Sequence, residues 1–302
     1  MIVLAVVVAI GAIAALYTWI YVRAARSNAN RYRPDEPSDF PRLSAEMEAR
    51  AEPTLLLLPT EAPALSRIGG APDLDDPSLW PTSMGRACTF LAQFDLKAVR
   101  TAGGPEWMPD NGVLLVFVGA EETAELDEPD NPLRAIWRSQ AASEPLLAGP
   151  APYPAHHLSF ELRRSYPDVE MLDDIRKINV TDKELDQLSA LDQADYADQP
   201  TNGYGDIVVS RLGGFPDCIQ SEHWQMECEV AARGLDEKAA YREPLDPELV
   251  AASREWRMAA QFKTEKRLGL AWPGEGAIYL YVRESDARAG DFSKTHSTWQ
   301  AY

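Results

Sequence analysis

Ser66-Arg67-Ile68-Gly69-Gly70-Ala71-Pro72-Asp73 returns later in the chain as Ser210-Arg211-Leu212-Gly213-Gly214-Phe215-Pro216-Asp217. Each copy reads as a strand end entering a tight turn, because paired glycines permit positive φ and the following proline fixes the exit. Working outward, Ala92-Gln93-Phe94 follows the first copy and Ala260-Gln261-Phe262 the second. Two glycine-led apolar runs come next, Gly112-Val113-Leu114-Leu115-Val116-Phe117-Val118 and Gly276-Ala277-Ile278-Tyr279-Leu280-Tyr281-Val282. Three elements in the same order point to an internal duplication, although the spacings between them differ. Neither run alternates with polar residues, so both read as central strands buried on both faces.

The fold class this predicts is α+β and β-rich: a single soluble domain over 53–302, preceded by one transmembrane helix. The domain is expected to be built from two similar half-domains, at about 53–149 and 206–302, with a cleft or seam between them. Between the halves lies an acidic insert, 150–205, in which Asp168 to Asp198 holds ten acidic and three basic residues. Thr181 and Glu184 there have the spacing of a capping box, ahead of Leu185, Leu188 and Leu191 on one helical stripe. After Gly214 the pattern predicts a helix over Ile219 to Arg233, ended by Gly234, and a second over Pro247 to Phe262.

The start of the chain has a different character. Residues 2–22 carry no charge, and a helix of that length rises about 31 Å, the thickness of a bilayer's hydrocarbon core. Tyr17, Trp19 and Tyr21 stand at its end, followed by Arg23, Arg26, Arg31 and Arg33. The excess of arginine after the run predicts a single-pass inner-membrane anchor with the remainder of the chain in the cytoplasm. Residues 23–52, with Pro34, Pro37 and Pro41, read as a juxtamembrane linker.

Composition limits the partners. The chain of 302 residues has 29 Lys plus Arg against 47 Asp plus Glu, a net charge of −18. So acidic a chain repels phosphate backbones, which argues against nucleic acid and for a basic protein partner. Three cysteines, Cys88, Cys218 and Cys228, do not make a disulfide framework.

Further motifs give the chain a family likeness. Besides SRIGGAPDL at 66–74, they are Trp80-Pro81, FLAQFDL at 90–96 and GVLLVFV at 112–118. In the second half they are RLGGFPDCIQ at 211–220, MECEVAARGL at 226–235, GEGAIYLYVRESDARAGDFSK at 274–294 and Gln300. At these motifs the chain resembles the YwqG-like family, a bacterial domain of unknown function. The resemblance implies a β-rich α+β domain with no settled activity, catalytic residue set or cofactor. Some members sit beside bacterial toxin systems, which implies an inhibitory, immunity-like role. The chain departs from the family in its more polar segment near Phe262 and in the insert at 150–205.

No catalytic signature appears: there is no G-x-S-x-G, P-loop, H-E-x-x-H or G-x-G-x-x-G. The candidate binding residues are Arg67, Gly69 and Gly70 in the first turn and Arg211, Gly213 and Gly214 in the second. Turn amides beside a guanidinium suit a phosphate or carboxylate, although tight turns with arginines on acidic neighbours are the simpler expectation. Gln93, Gln220 and Gln261, polar among apolar residues, are expected to tie off backbone groups or to line the seam. Asp73, Asp75 and Asp76 lack the spaced ligands of a calcium loop. Cys218, His223 and Cys228, five apart each time, diverge around a helix, so no metal is expected there. A non-enzymatic binding module is the leading expectation. The competing one is an enzyme acting on a small anionic ligand held in the seam by Arg67 and Arg211.

Overall fold

The computed structural model describes residues 48–119, 132–143, 146, 148–150, 153–167, 209–221, 223–242 and 244–301. Its strands are β1 (Glu52–Pro59), β2 (Arg67–Ile68), β3 (Thr82–Ser83), β4 (Arg86–Ala87), β5 (Thr89–Asp95) and β6 (Val113–Val118). They continue with β7 (Leu133–Arg138), β8 (His156–Ser165), β9 (Arg211–Leu212), β10 (Trp256–Lys263), β11 (Ala277–Arg283) and β12 (His296–Gln300). Among the described residues, short α-helices join them at α1 (Leu96–Thr101), α2 (Trp224–Ala232), α3 (Pro247–Ser253) and α4 (Glu284–Arg288). Apart from the small β3–β4 hairpin, the strands form a ten-stranded sheet in the order β12-β11-β10-β9-β1-β8-β2-β5-β6-β7. The sheet curls into a nearly closed barrel. Its two edges meet where Leu133 N on β7 donates to Ser297 Oγ on β12 at 2.8 Å.

That strand order reveals how the two repeats are assembled. The first repeat runs β1, β2, β5, β6, β7 and the second β8, β9, β10, β11, β12, yet β1 pairs with β9 and β8 with β2. Each repeat has given its first strand to the other. The equivalence extends to single bonds: Leu57 N donates to Ser210 O, and Leu158 N to Ser66 O, both at 3.0 Å. β1 and β8 pair with each other antiparallel along the middle of the sheet, Glu52 facing Ser165 through to Pro59 facing Leu158.

Elsewhere the two registers superpose. Phe94 faces Leu114 as Phe262 faces Ile278, and a bulge lies between Phe90 and Ala92 as between Met258 and Ala260. Gly112 and Gly276 precede the two apolar strands because space is lacking: a Cβ would come 2.2 Å from Arg138 O in one and 2.4 Å from Gln300 O in the other. As expected, β6 is buried throughout, and β11 is buried from Ala277 to Val282. Residues 120–131 after β6 lie outside the described residues, whereas Glu284 opens α4 directly after β11.

One core serves both repeats. Leu55, Ile68, Phe94, Leu114 and Val116 pack with Leu212, Phe262, Ile278, Leu280 and Phe292 in a single cluster. At its centre Phe94 stacks on its own counterpart Phe262, centroids 6.2 Å apart at 25°.

Several expectations need correction. The α+β domain of two half-domains is instead a β-rich, nearly closed sheet that neither repeat completes alone, because the first strands are exchanged. The transmembrane helix is not supported: among the described residues no helix is long and apolar enough to cross a membrane, and residues 2–22 lie outside them. The helix expected over Pro247 to Phe262 ends at Ser253, and Trp256–Lys263 is strand β10. That over Ile219 to Arg233 begins only at Trp224. The capping box at Thr181 and the leucine stripe after it lie outside the described residues.

Phe94→Ala and Phe262→Ala should each lower unfolding stability by about 3–5 kcal/mol in urea titrations, as emptied core positions do. The two losses should be non-additive by about 0.5–1.5 kcal/mol, the worth of the ring pair itself.

Candidate functional site

The two Gly-Gly turns are locked by the residues singled out in the sequence. Arg67 leaves β2 and grips Asp73 with both nitrogens, Nη2 to Oδ1 at 2.7 Å and Nη1 to Oδ2 at 3.3 Å. It also donates to the carbonyls of Leu65, at 3.1 Å, and Ala71. Gln93 lies opposite Arg67 in the ladder. Its Oε1 accepts from Asp73 N at 2.9 Å, and its Nε2 donates to Asp73 Oδ2 at 2.8 Å and Leu65 O at 3.1 Å.

The second repeat keeps the glutamine part of this device. Gln261 lies opposite Arg211, accepts from Asp217 N at 2.9 Å and donates to Val209 O at 3.5 Å. Ser66 Oγ receives Asp95 N at 2.9 Å, and Ser210 Oγ receives Lys263 N at 3.1 Å. Gly69, at φ +67°, has Pro154 O 2.2 Å from where a Cβ would stand, and Gly213, at φ +68°, has Pro105 at 2.2 Å. Gly70 donates its N–H to Tyr153 O at 2.9 Å, and Gly214 is walled by Ser165 and Thr54. Arg67, Gln93, Arg211 and Gln261 are all buried.

The arrangement brings Arg67 and Gln93 together beside one turn and Arg211 and Gln261 beside the other, on strands β2 and β9 that β1 and β8 separate in the sheet. Gln220 does not join either group. Its side chain is exposed, and Gln300 Oε1 takes up the backbone N–H groups of Ile219, at 2.7 Å, and Gln220, at 3.1 Å. Among the described residues no group of three or more His, Cys, Asp or Glu could hold a metal ion.

Where the repeats agree, architecture accounts for the residues; they differ most between the second and third strands of each. The first repeat connects β2 to β5 through the β3–β4 hairpin. The second connects β9 to β10 through α2 and α3. Trp224 and Cys228 pack α2 on Trp256, Tyr279 and Tyr281 of the sheet, while Met226 and Val230, on its other side, hold Ala240 and Leu249.

Buried Glu229 anchors this insert. It accepts from Arg233 Nε at 2.7 Å, Arg283 Nη2 at 2.8 Å and Trp256 Nε1 at 3.0 Å. Burial works to raise its carboxyl pKa, but these three donors outweigh it and hold the pKa below the usual range. Nearby, Glu227 Oε1 accepts from both Ser221 Oγ and Tyr241 OH. Partial burial and the bond to Glu227 push the Tyr241 phenol up to about 12. Tyr241 is therefore a fixed donor at neutral pH and cannot serve as a base for Ser221.

A second feature lies at the barrel's seam, a groove of about 430 Å³. Arg100 and the 106–111 loop of the first repeat form one side of it, Arg288 to Gly290 of the second repeat the other, and Trp137 completes the lining. Lone arginines at the ends of short helices gave no sign of this in the sequence.

These features define a β-rich protein built from two strand-exchanged repeats, one carrying a helical insert. The chain belongs to the DUF1963 family, described as a domain of unknown function, whose model matches residues 66–301. No curated relative matches the chain.

Arg67→Ala strands Asp73 in a buried turn and should cost about 3–5 kcal/mol of stability in denaturant titrations, whereas Arg67→Ala with Asp73→Ala should cost less. Glu229, with its pKa depressed by folding, contributes stability above the unfolded glutamate value of about 4.3, and that stability disappears as pH falls through the folded pKa. Melting curves between pH 7 and pH 3 should show a loss of stability that Glu229→Gln flattens.

Proposed function

We propose that this YwqG-like chain is a non-enzymatic, inhibitory binding module of the immunity type, and that residues 223–255 form the face that meets a basic protein partner. The observation that carries this reading is the asymmetry of the repeats. The insert has no counterpart in the first repeat, so the shared architecture does not require it. It exposes two large apolar side chains, Leu235 and Tyr241, each 46% accessible. Around them Asp236, Glu237, Asp246 and Glu248 are exposed, with Arg233, Lys238 and Arg242 interspersed. An apolar centre with a charged rim is the make-up of a protein interface. A chain of net charge −18 steers a basic partner toward it.

The test is affinity capture from the native cytosol by the full chain, with Leu235→Ala/Tyr241→Ala and Asp236→Lys/Glu237→Lys/Glu248→Lys alongside. Wild type should retain a basic protein that salt releases, and each variant should bind it at least tenfold more weakly, a difference of about 1.4 kcal/mol. Capture undiminished in both variants, or turnover by the wild type in a substrate screen, would overturn the reading.

A further inference from the structure

We infer that the seam groove is a binding site for a small carboxylic acid, with Arg100 and Arg288 as its receptor. This site is separate from the helical insert and from both Gly-Gly turns. Arg100 Nη2 donates to the carbonyls of Glu106, at 3.0 Å, and Met108, at 2.8 Å. Arg288 Nη1, from the other repeat, reaches the same Glu106 oxygen at 3.4 Å. Two guanidiniums are thus held side by side by one neutral oxygen. In a chain with 47 acidic residues, Arg100 pairs with no carboxylate among those described. Arg288 is shared with Glu284, whose Oε1 accepts from Nε at 3.0 Å and Nη2 at 2.8 Å.

Glu284 already offsets the charge of Arg288, whereas that of Arg100 meets only carbonyl dipoles, so an oxyanion in the groove gains charge-assisted hydrogen bonds from both and supplies the counter-charge Arg100 lacks. The carbonyls fix the two guanidiniums before any ligand arrives, so little side-chain freedom remains to be lost on binding. A carboxylic acid fits the rest of the lining. Pro109, Trp137 and Ala289 give one apolar wall, in a lining that is otherwise mostly polar, for its body. Trp137 is itself held, its Nε1 donating to Asn111 O at 3.1 Å, and Gly290 packs close on its ring. Asp110 also lines the groove, and its Oδ1 is taken by Asn111 Nδ2 at 2.8 Å. A volume near 430 Å³ is within the range of small-molecule sites and too small for a folded partner.

The test is thermal unfolding of the full chain at pH 7 with benzoate, acetate, inorganic phosphate or chloride at matched ionic strength. Benzoate should give a saturable rise in Tm, about 3–6 °C at ten times its Kd, and acetate a weaker one. Arg288→Gln, at a half-exposed position that leaves the Arg100 bonds in place, should lose most of the rise measured from its own ligand-free Tm. Arg100→Lys should also weaken it, because a lysine cannot grip a carboxylate with two parallel donors. No saturable rise beyond that in chloride would overturn the assignment, as would an equal rise in Arg288→Gln. A rise with phosphate and none with the carboxylates would overturn the choice of ligand class.

Discussion

The antiparallel pairing of β1 with β8 is the constraint on which the rest of the structure depends. Each strand opens one repeat and completes the sheet of the other, so this ladder is both the middle of the barrel and the joint between its halves. Without it, β2 and β9, two residues each, would lose a neighbour and with it half their ladder. The Arg67–Asp73–Gln93 arrangement and the one built on Gln261 follow from that need. A two-residue strand cannot hold its own register. Side-chain bonds to the turn that follows supply what a longer ladder would otherwise provide.

Much of this is legible in the sequence, and for an identifiable reason. The Gly-Gly turns, the Ala-Gln-Phe segments and the Gly-led strands recur because both repeats must meet the same steric limits. Gly112 and Gly276 each face a carbonyl oxygen that leaves no room for a Cβ. Gln93 and Gln261 each satisfy a turn amide that would otherwise be buried without a partner. The exchange of first strands is not legible, because β1 and β8 have diverged with their surroundings. β1 reads Glu-Pro-Thr-Leu-Leu-Leu-Leu-Pro and is buried through its middle, whereas β8 has exposed positions at Ser159, Leu162 and Arg164. No shared motif marks them as equivalent. The expected long helix from Pro247 misled for a different reason: Trp256 to Lys263 alternates apolar and polar residues except at Ala259-Ala260, where a bulge breaks the strand period in its middle.

The candidate sites were harder to see because neither is a motif. Duplication offers a way to find them within a single chain. Residues that recur in both repeats are accounted for by the barrel, so what lacks a counterpart is where a specific role can have been added. The α2–α3 insert is one such addition, held to the sheet by Glu229, a single acid whose three donors come from α2's own end, β10 and β11. The Arg100–Arg288 pair is another, and it exists only because closing the barrel brings the two repeats edge to edge. Sequence distance conceals such a pair completely. The residues the sequence did mark, Arg67 and Arg211, open strands β2 and β9 and are buried there, Arg67 bonded into its own turn.

Interstrand NOEs in the deuterated chain test the exchange of first strands most directly. Strand exchange requires NOEs linking Leu55 and Leu56 to Leu212 and Arg211, together with NOEs linking Arg67 and Ile68 to His157 and His156. NOEs placing β1 beside β2, with β8 beside β9, would mean that each repeat keeps its own first strand, and would contradict it.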